Sequence, residues 1–162
     1  MERFYWVIEG KLAGCCRPGL AGGRPGARQG RDAMDADLAW LREQGIGAVL
    51  TLTEQPLPAD LLARSGLVGL HIPVDDMTPP SPPQLEDALD FIHAQIQRHA
   101  VAVHCLMGMG RTGTVLAAYL IRHGATPDDA IRQIRGLCAG AICTEGQERA
   151  LANFAAERAW II

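Results

Sequence analysis

The sequence predicts an α/β domain whose helices pack on a central sheet. Three observations carry that expectation. Short β-branched or apolar runs alternate with helical stretches; glycines and prolines punctuate the junctions; and "VAVHC" (Val101 to Cys105) is apolar on both faces, as strands in the middle of a parallel sheet are. The 162 residues, 48% hydrophobic and 20% charged with a formal net charge of −3, read as one domain over 1–162. A chain of this length buries roughly 70% of its unfolded surface and needs no staples. The balance excludes a disordered or nucleic-acid-coating chain, so an anionic ligand would be held locally rather than by a global positive field.

In chain order, "FYWVIEGKLAGCC" reads as two short strands around Glu9-Gly10, a hairpin. "RPGLAGGRPGARQGR" (Arg17 to Arg31) is rich in Gly, Pro and Arg and is expected to be a mobile, solvated loop, with a substrate-contacting arm as its alternative. Asp32 or Asp35 caps a helix running to about Gln44, with Leu38, Trp40 and Leu41 as apolar positions and Gly45 ending it. "AVLTLT" (Ala48 to Thr53) is a strand, "PADLLARSG" a short helix and "LVGLHIPV" (Leu67 to Val74) another strand. "DDMTPPSPP" cannot continue strand or helix and forms a rigid proline loop. A helix from about Pro83 to Arg98 carries Leu85, Leu89, Ile92 and Ile96 on one stripe. After "VAVHC" and a glycine turn, Thr112 to Arg122 form a helix ended by Gly124. Thr126 and Pro127 open the next one, with acids in its first turn. The last begins near Thr144, whose spacing to Gln147 makes a capping box.

Five cysteines, Cys15, Cys16, Cys105, Cys138 and Cys143, lack paired Cys-x-x-Cys spacing, so no disulfide scaffold or zinc site is expected. Reduced thiols suit a cytoplasmic protein. The first residues carry charges around a short apolar run, unlike a signal peptide, and no stretch approaches the ~20 apolar residues of a membrane span. His71, His93, His99 and His123 show no metal spacing and read as surface or strand-end residues.

The chemistry concentrates in "VAVHCLMGMGRTG". If a strand ends at Cys105 and a helix starts near Arg111, Leu106, Met107, Gly108, Met109 and Gly110 must turn sharply between them, and the glycines allow the backbone angles required. Amides turned inward then make a ring of donors for an oxyanion above a helix N-terminus. Arg111 is placed to close the ring with a bidentate pair to two phosphate oxygens. The same surroundings favour the Cys105 thiolate, in line for attack on a bound phosphorus. The competing reading is a core thiol at a strand end. The full string, His-Cys-x-x-Gly-x-Gly-Arg-Thr-Gly, arises by chance on the order of once in a million such chains, which favours the nucleophile.

"VHCLMGMGRTGT" resembles the signature of the cysteine-dependent protein tyrosine phosphatases, in their compact, atypical dual-specificity branch. "IPVDDMTPPSPPQL" resembles that branch's general-acid loop, and "GAICTEGQ" its downstream Ile-x-Thr-x-x-Gln segment. Cys143 stands where that segment commonly has Glu. Together with "FYWVIEGKLAG" the likeness covers most of the chain; the loop from 17 to 31 has no counterpart.

The resemblance implies a dual-specificity-phosphatase-like α/β fold with a central mixed sheet flanked by helices on both faces. It implies a phosphomonoester hydrolase acting through a phosphocysteine, without cofactor or metal. Cys105 would be the nucleophile and Arg111 the phosphoryl ligand, with residues Leu106 to Gly110 supplying amides. Asp76 would be general acid then base, with Asp75 in reserve. Thr112 would hydrogen-bond the departing sulfur, besides starting a helix. His104 would order the loop, rather than transfer a proton. Gln147 would position the hydrolytic water, or serve only as the capping residue. Cys138 and Cys143 read as core or loop thiols, with a disulfide brake on Cys105 as the alternative.

The expected substrate is a phosphorylated protein, at phosphotyrosine and phosphoserine or phosphothreonine. The alternative is a small phosphorylated metabolite such as a nucleotide or inositol phosphate. A phosphate-binding module without turnover, or a sulfur-transfer or arsenate-reducing thiolate, are further alternatives. Relatives that act on inositol lipids carry lysines at the variable loop positions, and Met107 and Met109 here disfavour that class. A monomer without nucleic-acid or membrane partner is expected.

Overall fold

The computed structural model describes residues 1–20 and 30–159. Strands β1 (Phe4–Ile8), β2 (Leu12–Cys15), β3 (Ile46–Thr51), β4 (Val68–His71) and β5 (Ala100–His104) form one sheet in the order β1-β2-β5-β3-β4. β1 and β2 are the expected antiparallel hairpin, and all other pairings are parallel. The sheet is therefore mixed, with β5 at its centre.

Side-chain alternation sends the two faces of the sheet into separate cores. Val101 and Val103 of β5, with Leu12 and Leu50, join one core; Ala100 and Ala102, with Ala13 and Val49, join the other. Helices α3 (Pro82–Ile96), α4 (Gly110–Arg122), α5 (Pro127–Leu137) and α6 (Glu145–Ala159) cover the first face, through residues such as Leu89, Leu116, Ile134 and Leu151. Helices α1 (Gly30–Glu43) and α2 (Ala59–Ser65) cover the second through Leu38, Leu41 and Leu61. The fully apolar β5 is thus explained by helices on both sides, and the expected fold class is found.

Several boundaries differ from the sequence reading. α1 begins at Gly30, so Asp32 lies in its first turn and neither Asp32 nor Asp35 caps it. β3 runs from Ile46 to Thr51 rather than from Ala48 to Thr53, because its register follows β5 from Ala100 to His104. β4 is confined to Val68–His71, since Pro73 has no amide for the ladder. α3 begins at Pro82 behind a capping box in which Ser81 accepts from the Gln84 amide and Gln84 accepts from the Ser81 amide. α4 begins at Gly110, two residues before the expected Thr112.

The expected mobile loop from 17 to 31 is corrected at its start. The Arg17 guanidinium donates to Thr53 Oγ1 at 2.7 Å and to the carbonyls of Gln55 and Pro56 at 3.0 Å, and the Gly19 amide donates to Asp37 at 2.8 Å. Residues 21–29 of that stretch lie outside the described residues.

Candidate active site

Cys105 follows the last residue of β5, so the loop from 105 to 109 leaves the carboxyl end of the central strand, where open α/β sheets place their ligands. What sets the loop's shape is the N-terminal hairpin. Three consecutive loop carbonyls each accept a hydrogen bond from it or from the residues flanking it. The Arg17 amide donates to Leu106 O at 2.9 Å, Arg3 Nη1 to Met107 O at 2.7 Å, and Tyr5 Oη to Gly108 O at 2.8 Å. In a trans peptide the N–H points opposite to the C=O, and no described peptide bond is cis. Pulling those three carbonyls outward therefore turns the amides of Met107, Gly108 and Met109 inward. The Gly108 amide indeed donates to Cys105 Sγ at 3.3 Å.

Two glycines make this possible. Gly108 has φ +74°, and a Cβ there would lie 2.5 Å from the backbone carbon and oxygen of Cys15. Gly14 leaves room for the Tyr5 ring, which a Cβ would meet at 2.5 Å. Burial holds the Tyr5 phenol far above its ordinary pKa, so it stays a proton donor.

Arg111, in the first turn of α4, is only 2% exposed. Its Nη1 donates to Val74 O at 2.8 Å and to Glu54 Oε2 at 3.1 Å, and its Nη2 lies 3.1 Å from Asp76 Oδ1. Glu54 was missed in the sequence, which offers only a lone acid after a strand. Its own backbone amide and the Arg111 guanidinium hold its carboxyl below the usual range. Asp76 also accepts from the Met77 amide at 2.9 Å, while its amide donates to Glu54 Oε1 at 2.9 Å, so loop, acid and arginine form one network.

A cleft of about 140 Å³ is lined by Cys105, Leu106, Met107, Met109, Gly110, Arg111, Asp76 and Gln147, with Cys143 and Met77 on its wall. Asp75 is not among its walls; it faces a neighbouring cavity, and its carbonyl accepts from Thr78 Oγ1.

His104 is fully buried, with Nδ1 3.0 Å from Cys105 O and Nε2 2.9 Å from Thr51 Oγ1. Opposite a carbonyl Nδ1 must be the donor, so Nε2 accepts from the threonine hydroxyl. Burial pushes the ring down to about 4, leaving it neutral, which fits an ordering role and not a proton carrier.

Gln147, also fully buried, forms the expected capping box: its amide donates to Thr144 Oγ1 at 3.1 Å, and its Oε1 accepts from the Thr144 amide at 3.3 Å and the Cys143 amide at 2.7 Å. Its Nε2 reaches Thr78 O at 3.3 Å, tying the start of α6 to the acid loop. Thr112 Oγ1 is buried without a hydrogen-bond partner among the described residues. All five cysteines are free thiols; Cys138 is buried against the loop, its Sγ 3.9 Å from Gly108 O, and Cys143 donates to Gly140 O at 3.3 Å.

A cysteine closing the central parallel strand, a glycine-turned loop of inward amides and a buried arginine opening the next helix define the cysteine-dependent tyrosine and dual-specificity phosphatase class. Residues 23–125 match the family Tc-R-P, described as "Polymorphic toxin system, DSP-PTPase phosphatase", and the chain belongs to that family. Protein tyrosine phosphatase type IVA 3 of Mus musculus is 33% identical over 105 residues, 63% of this chain and 61% of that protein. Tyrosine-protein phosphatase cdcA of Emericella nidulans is 29% identical over 120 residues, 72% of this chain and 20% of its own length. The chain thus spans under two thirds of these curated relatives. Among solved structures, Tk-PTP in its active form superimposes with a TM-score of 0.80 at 26% identity, covering 96% of this chain and 97% of that one. Human DUSP28 shares the fold at 19% identity, with a TM-score of 0.78 and full coverage of both chains.

Proposed function

We propose that the chain is a phosphomonoester hydrolase working through a phosphocysteine at Cys105, as a dual-specificity protein phosphatase. The observation that carries this reading is the convergence of Cys105, the Gly108 amide, Arg111 and Asp76 on one cleft. In the first step the Cys105 thiolate attacks phosphorus, the S–P bond forms, and the P–O bond to the alcohol breaks. Asp76, protonated, gives its proton to the leaving oxygen. In the second step Asp76, now a carboxylate, takes a proton from water; the oxygen adds to phosphorus and the S–P bond breaks, releasing phosphate and the thiolate.

Arg111 binds the equatorial oxygens. A phosphoryl group on its Nη2 displaces Asp76 from the 3.1 Å pair, freeing the acid for the leaving group as substrate arrives, while Glu54 keeps Nη1 oriented. The Thr112 hydroxyl is assigned to the departing thiolate. An orphaned buried hydroxyl costs about 1–3 kcal/mol, and a thiolate leaving phosphorus would give it an acceptor. Gln147 is assigned to the hydrolytic water. The 140 Å³ cleft, with the acid loop's Asp76 on its wall, is assigned to phosphotyrosine and to phosphoserine or phosphothreonine alike. The reading extends to a single catalytic domain over 1–162, acting as a cytoplasmic monomer; among the described residues no helix is long and apolar enough to cross a membrane.

The wild-type chain is expected to hydrolyse p-nitrophenyl phosphate in EDTA and to lose that activity in Cys105→Ser. Undiminished activity of the variant would end the proposal. Initial rates on phosphopeptides, nucleotides and inositol phosphates, measured side by side, separate protein from metabolite substrates.

A further inference from the structure

Immediately beside the catalytic cleft lies a larger cavity of about 520 Å³, between the acid loop, the start of α3 and one side of α6. Nothing in the proposed reaction uses it. Its floor and walls are apolar, with Val74, Pro79, Pro82, Leu85 and Phe154, and its mouth carries groups of both signs, Asp75, Arg149 and Glu157, together with Asn153. A volume of this order accommodates a side chain or small ligand with most of its surface removed from water.

At three points neighbours in sequence line the two sites separately. Asp75 lines the cavity and Asp76 the cleft; Thr78 lines the cavity and Met77 the cleft; Gly146 lines the cavity and Gln147 the cleft.

The rim of the cleft is apolar. Among the described residues five large hydrophobics are exposed, and three of these, Met77 at 58%, Leu106 at 40% and Met107 at 47%, rim the cleft. Met77, at φ +62° on the crest of the acid loop, stands on the dividing wall itself. Flexible thioethers and a leucine around a phosphate site suit a varied apolar partner and do nothing for a small polyanion.

We propose that this cavity is a docking subsite for one apolar side chain of a polypeptide substrate, a few residues away from the phosphorylated one. The inference rests on the protein-phosphatase reading above and adds a second contact to its substrate. A polypeptide is favoured over a lipid chain because the mouth offers carboxylates, a guanidinium and an amide for backbone and flanking polar groups. With Asp75 and Glu157 against Arg149, the mouth also carries net negative charge, which disfavours an anionic bilayer surface.

The test is a set of phosphotyrosine peptides with alanine flanks, each carrying a single Leu or Phe at one offset from the phosphotyrosine. Burying such a side chain is worth enough for about a tenfold or greater fall in KM at one offset, with kcat little changed. That gain should vanish in Ala150→Trp, which fills the cavity, and in Asn153→Trp, an exposed position at its mouth that leaves folding intact if Ala150→Trp does not. Rates on p-nitrophenyl phosphate should stay unchanged in Asn153→Trp. The proposal is overturned if no offset exceeds twofold, if the gain survives both substitutions, or if micellar long-chain alkyl phosphates show the cavity-dependent preference instead. Binding of the same peptides to Cys105→Ser reads docking without turnover, so a failure of catalysis and a failure of docking give different results.

Discussion

Gly108 is where the fold and the chemistry meet in one residue. Its positive φ and its contact with the Cys15 backbone leave no room for a side chain, and both its polar groups are committed, N–H to Cys105 Sγ and C=O to Tyr5. Gly108→Ala must therefore move the loop, and the loss of one inward donor predicts a fall in kcat of roughly 100-fold or more, measured on p-nitrophenyl phosphate. Tyr5→Phe is the gentler probe. It leaves Gly108 O with only the Cys138 thiol at 3.9 Å, so about 1–3 kcal/mol of stability should go, together with a slower iodoacetate alkylation of Cys105. The glycines of the loop were legible from spacing alone. Tyr5 was not, because one aromatic among three in a row, Phe4-Tyr5-Trp6, carries no sign that its hydroxyl will meet a carbonyl 103 residues away.

At the scale of elements, the acid loop and the start of α6 behave as one unit, joined by the bond from Gln147 to Thr78. The two neighbouring acids of the loop face opposite ways, and their substitution should differ accordingly. Asp76→Asn is expected to lower kcat by about 10²–10⁴ on alkyl phosphates, whose leaving group needs a proton, and by less on p-nitrophenyl phosphate. Asp75→Asn should stay within a few-fold of wild type on both. The sequence could only hold both acids as candidates, since adjacent loop residues have no period to separate them. Helix starts were legible where capping chemistry is local, as at Thr126 and Thr144. At α4 the start moved forward to Gly110, because the phosphate loop closes directly into the first helical turn.

Across the whole molecule, burial sets a pH limit. His104 sits neutral beneath the loop with its proton affinity lowered to about 4, while in the unfolded chain it titrates near 6.5. Below 6.5 the unfolded chain binds the proton that the folded one refuses, so stability falls with pH from about 6.5 down to 4, by about 3 kcal/mol in all. Urea midpoints across that range should show the slope, and His104→Gln should flatten it. The architecture itself was readable from alternation, because β5 and its neighbours bury one apolar set on each face. Glu54 and the hairpin donors were not, since they act across the sheet rather than along the chain. That last arrangement has a kinetic meaning. Contacts spanning more than a hundred residues close late, after the loop entropy between them has been overcome. The cradle around Cys105 therefore takes shape only when strands from the start of the chain have joined β5, and a nascent or partly unfolded chain carries its nucleophile unarmed.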